Sequence, residues 1–549
     1  MTEFNIGRVH ETVAAAVPDR ECIVWRDRRL TYRDVTERSR RLATYLHRAG
    51  LGAHTERGAL HGWESGQDHL ALYLYNGNEY LEGMLGAFKA RVAPFNVNYR
   101  YVAEELRYLF ADGRPHAIVY HASFAPLLAD VLPGLPDVAV LLQVADESGE
   151  ALLPGAVDYE DALASVEPEL PPVAASPDDL YLLYTGGTTG MPKGVAWRQD
   201  DIFMAAMGGR QIGTWQELTS YDEIAQAARD SFGLRMTPTP PFMHGASQWA
   251  AFICMTGGGT IVIQDNTRRL DPADVWSTVA RERVQSVTVV GDAFARPLID
   301  ELERGDYDVS SLVGFGNGGA PLNPALKQRL LDLLPNLFVS DSVGSSETGA
   351  QATHLSTKDG VSTGTFVPGP GAVVVSEDLT RLLEPGHEGM GWLAQTGHVP
   401  LGYLHDEAKT KRTFPVIDGV RYAVPGDRAI WLPDGQIELL GRDAVTINSG
   451  GEKIFAEEVE QAIAGHPAVR DVICVGRPSE RWGNEVVALV QLADGRTATQ
   501  DELERHASEH VARYKLPKAW LFLDEIRRSP AGKADYRWAA QTARDASGA

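Results

Sequence analysis

The sequence has few cysteines, fewer basic than acidic residues, and no apolar amino-terminal segment. Its three cysteines, Cys22, Cys254 and Cys474, lie far apart in a chain of 549 residues, without a Cys-x-x-Cys or Cys/His cluster. This usage excludes a disulfide framework and a cysteine-based zinc site, and it predicts reduced thiols in a core. Because the first residues lack the apolar core of a secretory signal, we expect a cytoplasmic protein.

Acidic residues dominate the charge of the chain. There are 51 lysines and arginines against 74 aspartates and glutamates, which gives a formal net charge of −23. Such a charge argues against nucleic acid and anionic membrane surfaces as general partners. The length and the 44% hydrophobic content allow a large core and at least one further domain.

One long uncharged stretch, residues 236–264, is long enough to suggest a transmembrane helix. Prolines at 238, 240 and 241 and glycines at 257–259 would break that helix twice. We therefore expect no transmembrane segment, but a buried helix over 247–255 followed by a strand over 260–263.

Residues 184–195 form a loop rich in glycine, threonine and lysine, which follows the apolar run 180–183. Glycines let the backbone approach an anion, threonine hydroxyls donate hydrogen bonds, and Lys193 adds a charge. The loop differs from the kinase-type phosphate loop because Pro192 precedes the lysine and Gly194 follows it, where that motif places a magnesium-binding hydroxyl. The pattern predicts a polyphosphate site formed by Thr185, Gly186, Gly187, Thr188, Thr189, Gly190 and Lys193.

This loop resembles the signature loop of the adenylate-forming superfamily, which comprises acyl-CoA synthetases, luciferases and peptide-synthetase adenylation domains. Further segments resemble other motifs of the superfamily and occur in the same order, at 241–245, 318–321, 344–349, 425–427, 441–443, 448–454 and 529–533. Within the superfamily, segments 194–198, 291–297 and 528–538 are most similar to actinobacterial fatty-acyl and steroid side-chain CoA ligases.

The resemblance implies four catalytic residues. Glu347 would bind Mg²⁺, and Ser346 would lie near the α-phosphate of ATP. His244 would separate the nucleotide and acyl pockets, although a histidine beside Phe242 and Met243 is also typical of a core. Lys533 would reach the α-phosphate and the carboxylate during adenylation.

The resemblance also implies the remaining binding residues. The adenine-site turn would consist of Gly318, Gly319, Ala320 and Pro321. The residues beside the thiol arm of coenzyme A would be Ser449, Gly450 and Gly451. Asp427 would accept hydrogen bonds from both ribose hydroxyls, with Arg442 assisting. The simpler alternatives are an Asx-type turn for Asp427 and a surface salt bridge for Arg442.

Alternating strand and helix patterns predict an α/β fold with parallel-rich sheets covered by helices. We expect a large N-terminal ATP- and acyl-binding domain over 1–441 and a small, mobile C-terminal α+β domain over 442–549 that carries Lys533. The acidic segment 146–179 is interpreted as a surface connection, and Glu457, Glu458 and Glu460 as a solvated helix face. An insert at 209–232 is either a lid or a surface loop.

These observations predict an AMP-forming acyl-CoA ligase that activates a long-chain or steroid side-chain carboxylic acid through an acyl-adenylate. The reaction would use ATP, Mg²⁺ and, as co-substrate, coenzyme A, with small molecules as the only expected partners; the oligomeric state stays open, with a homo-oligomer as one alternative. The other functions considered are an adenylating enzyme that serves a carrier protein and a non-catalytic nucleotide-binding relative.

Several positions depart from the common pattern or have two interpretations. Val343 replaces an aromatic residue that stacks on adenine, Pro425 replaces a threonine, and Ala444 occupies the place of a charged hinge residue. The apolar side chains of Trp249, Phe252, Met255 and Phe294 either line an acyl tunnel or belong to the core.

Overall fold

The computed structural model describes residues 2–185, 191–211, 214–361, 364–442, 445–449, 452–479, 483–529 and 532–546. The helices are α1 Ile6–Ala16, α2 Tyr32–Arg48, α3 Asn78–Lys89, α4 Ala103–Gly113, α5 Ala125–Val131, α6 Tyr159–Ala164, α7 Gln199–Ala206, α8 Tyr221–Asp230, α9 Gly245–Thr256, α10 Pro272–Glu282, α11 Gly291–Arg304, α12 Pro324–Leu333, α13 Glu407–Thr413, α14 Ala456–Ala464, α15 Gln500–Ser508 and α16 Tyr536–Asp545. The strands up to the phosphate loop are β1 Glu21–Trp25, β2 Arg28–Thr31, β3 His69–Tyr73, β4 Ala93–Asn96, β5 Pro115–His121, β6 Val140–Val144, β7 Val157–Asp158 and β8 Leu180–Thr185. They are followed by β9 Lys193–Arg198, β10 Arg235–Pro238, β11 Thr260–Ile263, β12 Ser286–Val289, β13 Gly314–Gly318, β14 Phe338–Ser345, β15 Gly349–Ser356, β16 Thr365–Pro368, β17 Ala372–Val375, β18 Gly391–Thr396, β19 Gly402–Tyr403, β20 Val416–Ile417, β21 Val420–Ala423, β22 Asp427–Trp431, β23 Ile437–Arg442, β24 Thr446–Ser449, β25 Glu452–Phe455, β26 Val469–Ser479, β27 Gly483–Leu492 and β28 Ala519–Phe522.

The first sheet has the strand order β2-β1-β11-β10-β12-β13-β14-β15-β16-β23-β22-β18-β21-β20, and β17 pairs with β18. From β1 through β11, β10, β12 and β13 to β14 the neighbours are parallel. The hairpin β14–β15 begins an antiparallel region. The carboxyl ends of the parallel strands therefore lie along one edge, where α/β proteins commonly form binding sites.

The second sheet has the order β19-β9-β8-β4-β3-β5-β6-β7. Its inner strands are parallel, and β8 and β9 form an antiparallel hairpin around the phosphate loop. Every residue of β3 is buried, which explains its continuous apolar sequence, since helices cover both faces of such a sheet.

A third sheet, with order β25-β24-β27-β26 and β28 beside β27, is the centre of the C-terminal domain. Helices α14, α15 and α16 cover this sheet, and Ile454, Val459, Val472, Val486 and Leu503 belong to its apolar core. The predicted fold class, a large α/β domain with a small α+β domain, is confirmed. Residues 443 and 444, next to the predicted domain boundary, lie outside the described residues.

Most predicted elements agree with the structure. The helix expected over 247–255 is α9, the strand over 260–263 is β11, and the hairpin that turns at 433–435 is β22–β23. All three cysteines are unpaired and buried, as expected. Phe252 and Met255 belong to one apolar core, against which Trp249 packs, and Phe294 belongs to another.

Three expectations need correction. Segment 146–179 is more than a surface connection, because Tyr159, Ala162 and Leu163 of α6 are buried in the main core. Part of the insert is the packed helix α8, which buries Ile224 and Ala228. Glu460 is not on a solvated face: its carboxylate accepts hydrogen bonds from the Cys474 amide at 2.8 Å and the Tyr536 hydroxyl at 3.1 Å.

Among the described residues, none of the helices is both long and apolar enough to cross a membrane. The expected absence of a transmembrane helix agrees with this finding.

Candidate active site

Glu347 lies in the turn of the β14–β15 hairpin, at the carboxyl end of a strand of the first sheet. The turn is closed by hydrogen bonds from the Ser345 amide to Thr348 Oγ1 at 2.9 Å and from the Glu347 amide to Ser345 Oγ at 3.2 Å. The Tyr403 hydroxyl donates to Glu347 Oε1 at 2.7 Å. Local hydrogen bonds and a side chain from the second sheet therefore fix the carboxylate.

Hydrogen bonds from the second sheet reach Ser346 and Glu347 of the first sheet. Trp197 on β9 donates its Nε1 hydrogen to the Ser346 carbonyl at 2.9 Å. Tyr403 lies on β19, which pairs with β9 through the register Tyr403 to Val195. The predicted magnesium segment is thus attached to the strand that leaves the phosphate loop.

The two described ends of the phosphate loop face each other. Thr185 ends β8, Lys193 begins β9, and the two residues are register partners. Lys193 Nζ pairs with the carboxylate of Asp406, which also caps α13 by accepting from the Lys409 amide at 2.9 Å. The middle of the loop lies outside the described residues and comprises Gly186, Gly187, Thr188, Thr189 and Gly190.

Two buried asparagines fix the turn that carries His244. Asn96 donates to the carbonyls of Tyr184 at 2.8 Å and Met243 at 2.7 Å, and so joins the strand before the phosphate loop to this turn. Asn76 accepts from the Phe242 amide at 2.6 Å. His244 itself is the residue before α9, where its backbone is extended.

The turn 318–321 follows β13. Gly319 has a positive φ of 81°, a conformation that glycine adopts without the cost that a side chain imposes. Asn317 supports the turn by donating to the Ala320 carbonyl at 3.1 Å and to Asp341 Oδ1 at 2.9 Å. Asp341 is in turn paired with buried Lys327 at 2.6 Å.

Asp427 and Arg442 are brought together by the β22–β23 hairpin. They are register partners at its open end, and Gly426, just before Asp427, has a φ of 109°. That these two residues bind the ribose stays a prediction from the sequence.

Lys533 belongs to a tight loop of the C-terminal domain. The Ser529 amide donates to the Lys533 carbonyl at 2.7 Å, and the Lys533 amide donates to Ser529 Oγ at 3.1 Å. Arg528 holds this loop: its guanidinium binds both oxygens of Asp471, at 2.7 and 2.5 Å, and the Gly532 carbonyl at 3.2 Å.

The loop is docked against the large domain. A Cβ atom placed on Gly532 would lie 3.1 Å from Ala293 Cβ and 3.3 Å from the Val290 carbonyl oxygen, so glycine permits the close approach. Lys533 Cε lies 4.0 Å from the corresponding Cβ position of Gly319. A cavity of about 150 Å³ at this junction is lined by Gly319, Ala320, Pro321 and Lys533, together with Glu457 and Arg528.

The positive charge of Lys533 affects the pKa of His244. Burial, followed by the positive charges of Lys533 and Arg100, lowers the pKa of His244 to about 3. The imidazole is therefore neutral at pH 7. Its Nε2 is buried and has no hydrogen-bond partner among the residues that the structure describes.

Ser449, which was predicted to lie beside coenzyme A, pairs with Glu452 and Gly483 inside the third sheet. Gly450 and Gly451 lie outside the described residues. A larger cavity of about 870 Å³ opens elsewhere, beside Trp25, Tyr75 and Arg268, and is lined by none of the described predicted site residues.

Sequence reasoning missed Asn96, Tyr403, Asp406 and Arg528. Asn96 is the one polar residue in the apolar strand β4, which is a detectable signal because a buried amide needs partners. Tyr403 and Asp406 are far from Glu347 and Lys193 in sequence, and no spacing rule connects them.

Comparison with known proteins gives two family matches in chain order. Residues 10–404 match the model of the AMP-binding enzyme, and residues 458–533 match that of the AMP-binding enzyme C-terminal domain. The medium-chain acyl-CoA ligase Mig of Mycobacterium avium is 62% identical and aligns over 99% of this chain and 98% of its own length. The 3-oxocholest-4-en-26-oate–CoA ligase of Rhodococcus rhodochrous is 40% identical, over 98% and 95%.

Solved structures agree in fold. The anthranilate CoA ligase AuaEII in complex with anthranoyl-AMP superposes with a TM-score of 0.82 at 18% identity, covering 100% of this chain and 98% of its own. ATP-bound MatB from Rhodopseudomonas palustris superposes with a TM-score of 0.80 at 20% identity, covering 98% and 99%. The predicted enzyme class, an acid–thiol ligase, is confirmed by the full-length relatives. The family model, which covers most of the sequence, also confirms the predicted superfamily: the chain belongs to the AMP-binding enzyme family.

Proposed function

We propose that this enzyme converts a medium-chain fatty acid to its CoA thioester through an acyl-adenylate, with release of pyrophosphate and AMP. The observation that carries the proposal is that Lys533, on a loop that another domain supplies, lies beside Gly319 and that its charge lowers the pKa of His244. The choice of acid rests on the 62% identity to a medium-chain ligase, against 40% to a ligase of a steroid side-chain acid.

The first step joins two anions, the carboxylate of the acid and the α-phosphate of ATP. Lys533 would supply a positive charge at the point where negative charge accumulates in the transition state. Neutral His244 would border the reacting carboxylate without adding a charge, and Ser346 would lie beside the α-phosphate. The carboxylate oxygen attacks phosphorus, the bond from phosphorus to the bridging oxygen breaks, and pyrophosphate leaves.

Glu347 would hold Mg²⁺. Its carboxylate is a hard oxygen ligand of the kind that Mg²⁺ prefers, and Tyr403 orients it through Oε1. When bound, the ion would neutralise phosphate charge. Lys193 would bind the phosphates after leaving Asp406, and Asp427 with Arg442 would hold the ribose.

The second step needs the thiol of coenzyme A to attack the acyl carbonyl, so that AMP leaves. Lys533 is not required for this attack, and we propose that the C-terminal domain turns about a hinge near 442–444 to bring Ser449, Gly450 and Gly451 to the site. Within this proposal, domain 1–441 stays fixed and domain 442–549 moves.

A substrate panel tests the function. AMP release would be measured over fatty acids of increasing length and over 3-oxocholest-4-en-26-oate, each with and without coenzyme A. We expect the highest kcat/KM for medium-chain acids and a strict need for coenzyme A. A higher kcat/KM for the steroid acid would show that a steroid side-chain acid, not a medium-chain acid, is the substrate. AMP release that does not depend on coenzyme A would favour an adenylating enzyme that serves a carrier protein.

A further inference from the structure

His506, Glu509 and His510 form a cluster at the carboxyl end of α15 that the proposed reaction does not use. One ligand atom from each of the three side chains lies within 4.8 Å of the other two. The helical path continues beyond Ser508, because the Glu509 amide donates to the His506 carbonyl at 3.2 Å and the His510 amide donates to the Ala507 carbonyl at 3.0 Å. His506 and His510 are four residues apart on this path, which places them on one side of it.

The two imidazoles are already close. Their ring centroids are 5.1 Å apart, with an angle of 65° between the planes. His506 Nε2 is buried and has no hydrogen-bond partner in the described parts of the chain. An unsatisfied buried nitrogen costs free energy, and a bound ligand that used its lone pair would lower that cost.

A third histidine borders the cluster. The ring of His466 lies 5.3 Å from that of His506, at an angle of 80°, but its Nδ1 accepts a hydrogen bond from the Ala468 amide at 3.2 Å. The neutral tautomer of His466 therefore carries its hydrogen on Nε2 and offers no lone pair there.

A second cluster, Asp200, Asp201 and His398, serves as a contrast. Asp200 Oδ1 accepts from the Phe4 amide at 2.7 Å, and Asp201 Oδ1 bonds with His398 Nδ1 at 2.9 Å. The other oxygen of Asp201 pairs with Arg198 at 3.4 Å. Protein donors therefore already use these ligand atoms, and the cluster is explained as a structural network.

We propose that His506, Glu509 and His510 bind a divalent transition-metal ion of the Zn²⁺ type, with water completing the coordination. Two imidazoles and one carboxylate are ligands that Zn²⁺, Co²⁺ and Ni²⁺ accept. With metal–ligand distances of about 2.1 Å, two ligand atoms of one ion lie at most about 4.2 Å apart. The ligand atoms of the cluster lie within 4.8 Å of one another. Small rotations of the exposed Glu509 and His510 side chains would bring them within about 4.2 Å.

The test uses the full-length protein, stripped with a chelator and titrated with Co²⁺ while Mg²⁺ is in large excess. Mg²⁺ occupies hard oxygen sites such as Glu347, whereas imidazole ligands give bound Co²⁺ a visible absorption band. We expect a saturable band that Zn²⁺ removes, and a rise in Tm on adding Zn²⁺, because an ion that binds the folded state stabilises it.

The variants decide whether this cluster is the site. His506→Asn and His510→Asn should each weaken Co²⁺ binding at least about tenfold, a loss of affinity of the size seen when metal sites are disturbed. As the control, His61→Asn changes an exposed histidine outside the cluster and should leave Co²⁺ binding unchanged. Glu509→Gln changes an exposed side chain and keeps the test valid if His506→Asn unfolds. Either no saturable band, or equal binding by all variants, would overturn the proposal.

Discussion

The two halves of the candidate active site are held in place by different means. Glu347 is fixed by bonds that join strands of the large domain, namely Tyr403 to its carboxylate and Trp197 to the neighbouring carbonyl. Lys533 lies on a loop that Arg528 and Asp471 brace within the C-terminal domain. The first arrangement suits a charge needed throughout the reaction, and the second suits a charge that must be withdrawn between two steps.

The largest expected effect is that of Lys533→Ala, and it concerns one half-reaction. Loss of the charge at the transferring phosphoryl group should lower pyrophosphate exchange by about 10³-fold, the scale of a lost arginine finger. Formation of thioester from supplied acyl-adenylate should stay near the rate of the unmodified enzyme. Lys518→Ala changes an exposed lysine of the same domain and serves as the control; an equal loss in both half-reactions would contradict domain alternation.

Glu347→Gln should lower adenylation by about 10²- to 10³-fold, because the amide keeps the shape but removes the charge expected to bind Mg²⁺. Pyrophosphate exchange at saturating Mg²⁺ is the measurement, and an unchanged Tm would show that folding is intact. Glu407→Gln alters an exposed glutamate four residues after Tyr403 in the sequence and should have no effect. Normal exchange in Glu347→Gln would remove this residue from the metal site.

Arg528→Lys tests the hydrogen bonds that hold the Lys533 loop within the C-terminal domain. Lysine keeps the charge but cannot bind both oxygens of Asp471 in a planar fork. We expect adenylation to fall by about tenfold, a loss of about 1.4 kcal/mol, close to the lower end of the range for hydrogen bonds to charged groups, while the thioester half-reaction is unchanged. The adjacent, exposed Arg527 gives a matched control, Arg527→Lys. A loss confined to the thioester step would show that Arg528 acts in the other domain position.

The smallest expected effect is that of Tyr403→Phe in the fixed half. The change removes one hydrogen bond to Glu347, worth about 1 kcal/mol, and should raise the Mg²⁺ concentration for half-maximal activity about fivefold with kcat nearly unchanged. Tyr307→Phe removes a similar bond, from Tyr307 to Glu301 at 2.7 Å, away from the site. An equal response of both variants would mean that Tyr403 has only a structural role.

Local chemistry made much of the fold and part of the candidate site predictable. Gly319 lies in a turn, and Lys193 and Asp427 begin strands that follow a loop or turn; the residue types there match an anion-binding or turn function. Strands such as β3 have the apolar sequence that burial on both faces demands. Sequence reasoning placed these elements within a few residues.

Contacts between distant segments were not predictable in the same way. Asn96 joins positions 88 and 147 residues away, and such partners exist only after the sheets have formed. Glu460 is interpreted from the sequence as solvated, although its carboxyl group is buried. Its run of glutamates is typical of a solvated helix face, yet burial raises the pKa of its carboxyl group to about 8. A composition-based interpretation cannot detect which member of such a run turns inward.

The pairing of Asp427 with Arg442 in one hairpin has a mechanical consequence. In any rotation, points close to the axis travel least and points far from it travel most. If the axis passes near residue 442, the sugar of the nucleotide would stay almost at rest, whereas Lys533, which the C-terminal domain carries, would move away from it. The adenylate would then keep its anchor while the group that made it departs, so that one turn of the domain exchanges catalysts without releasing the intermediate.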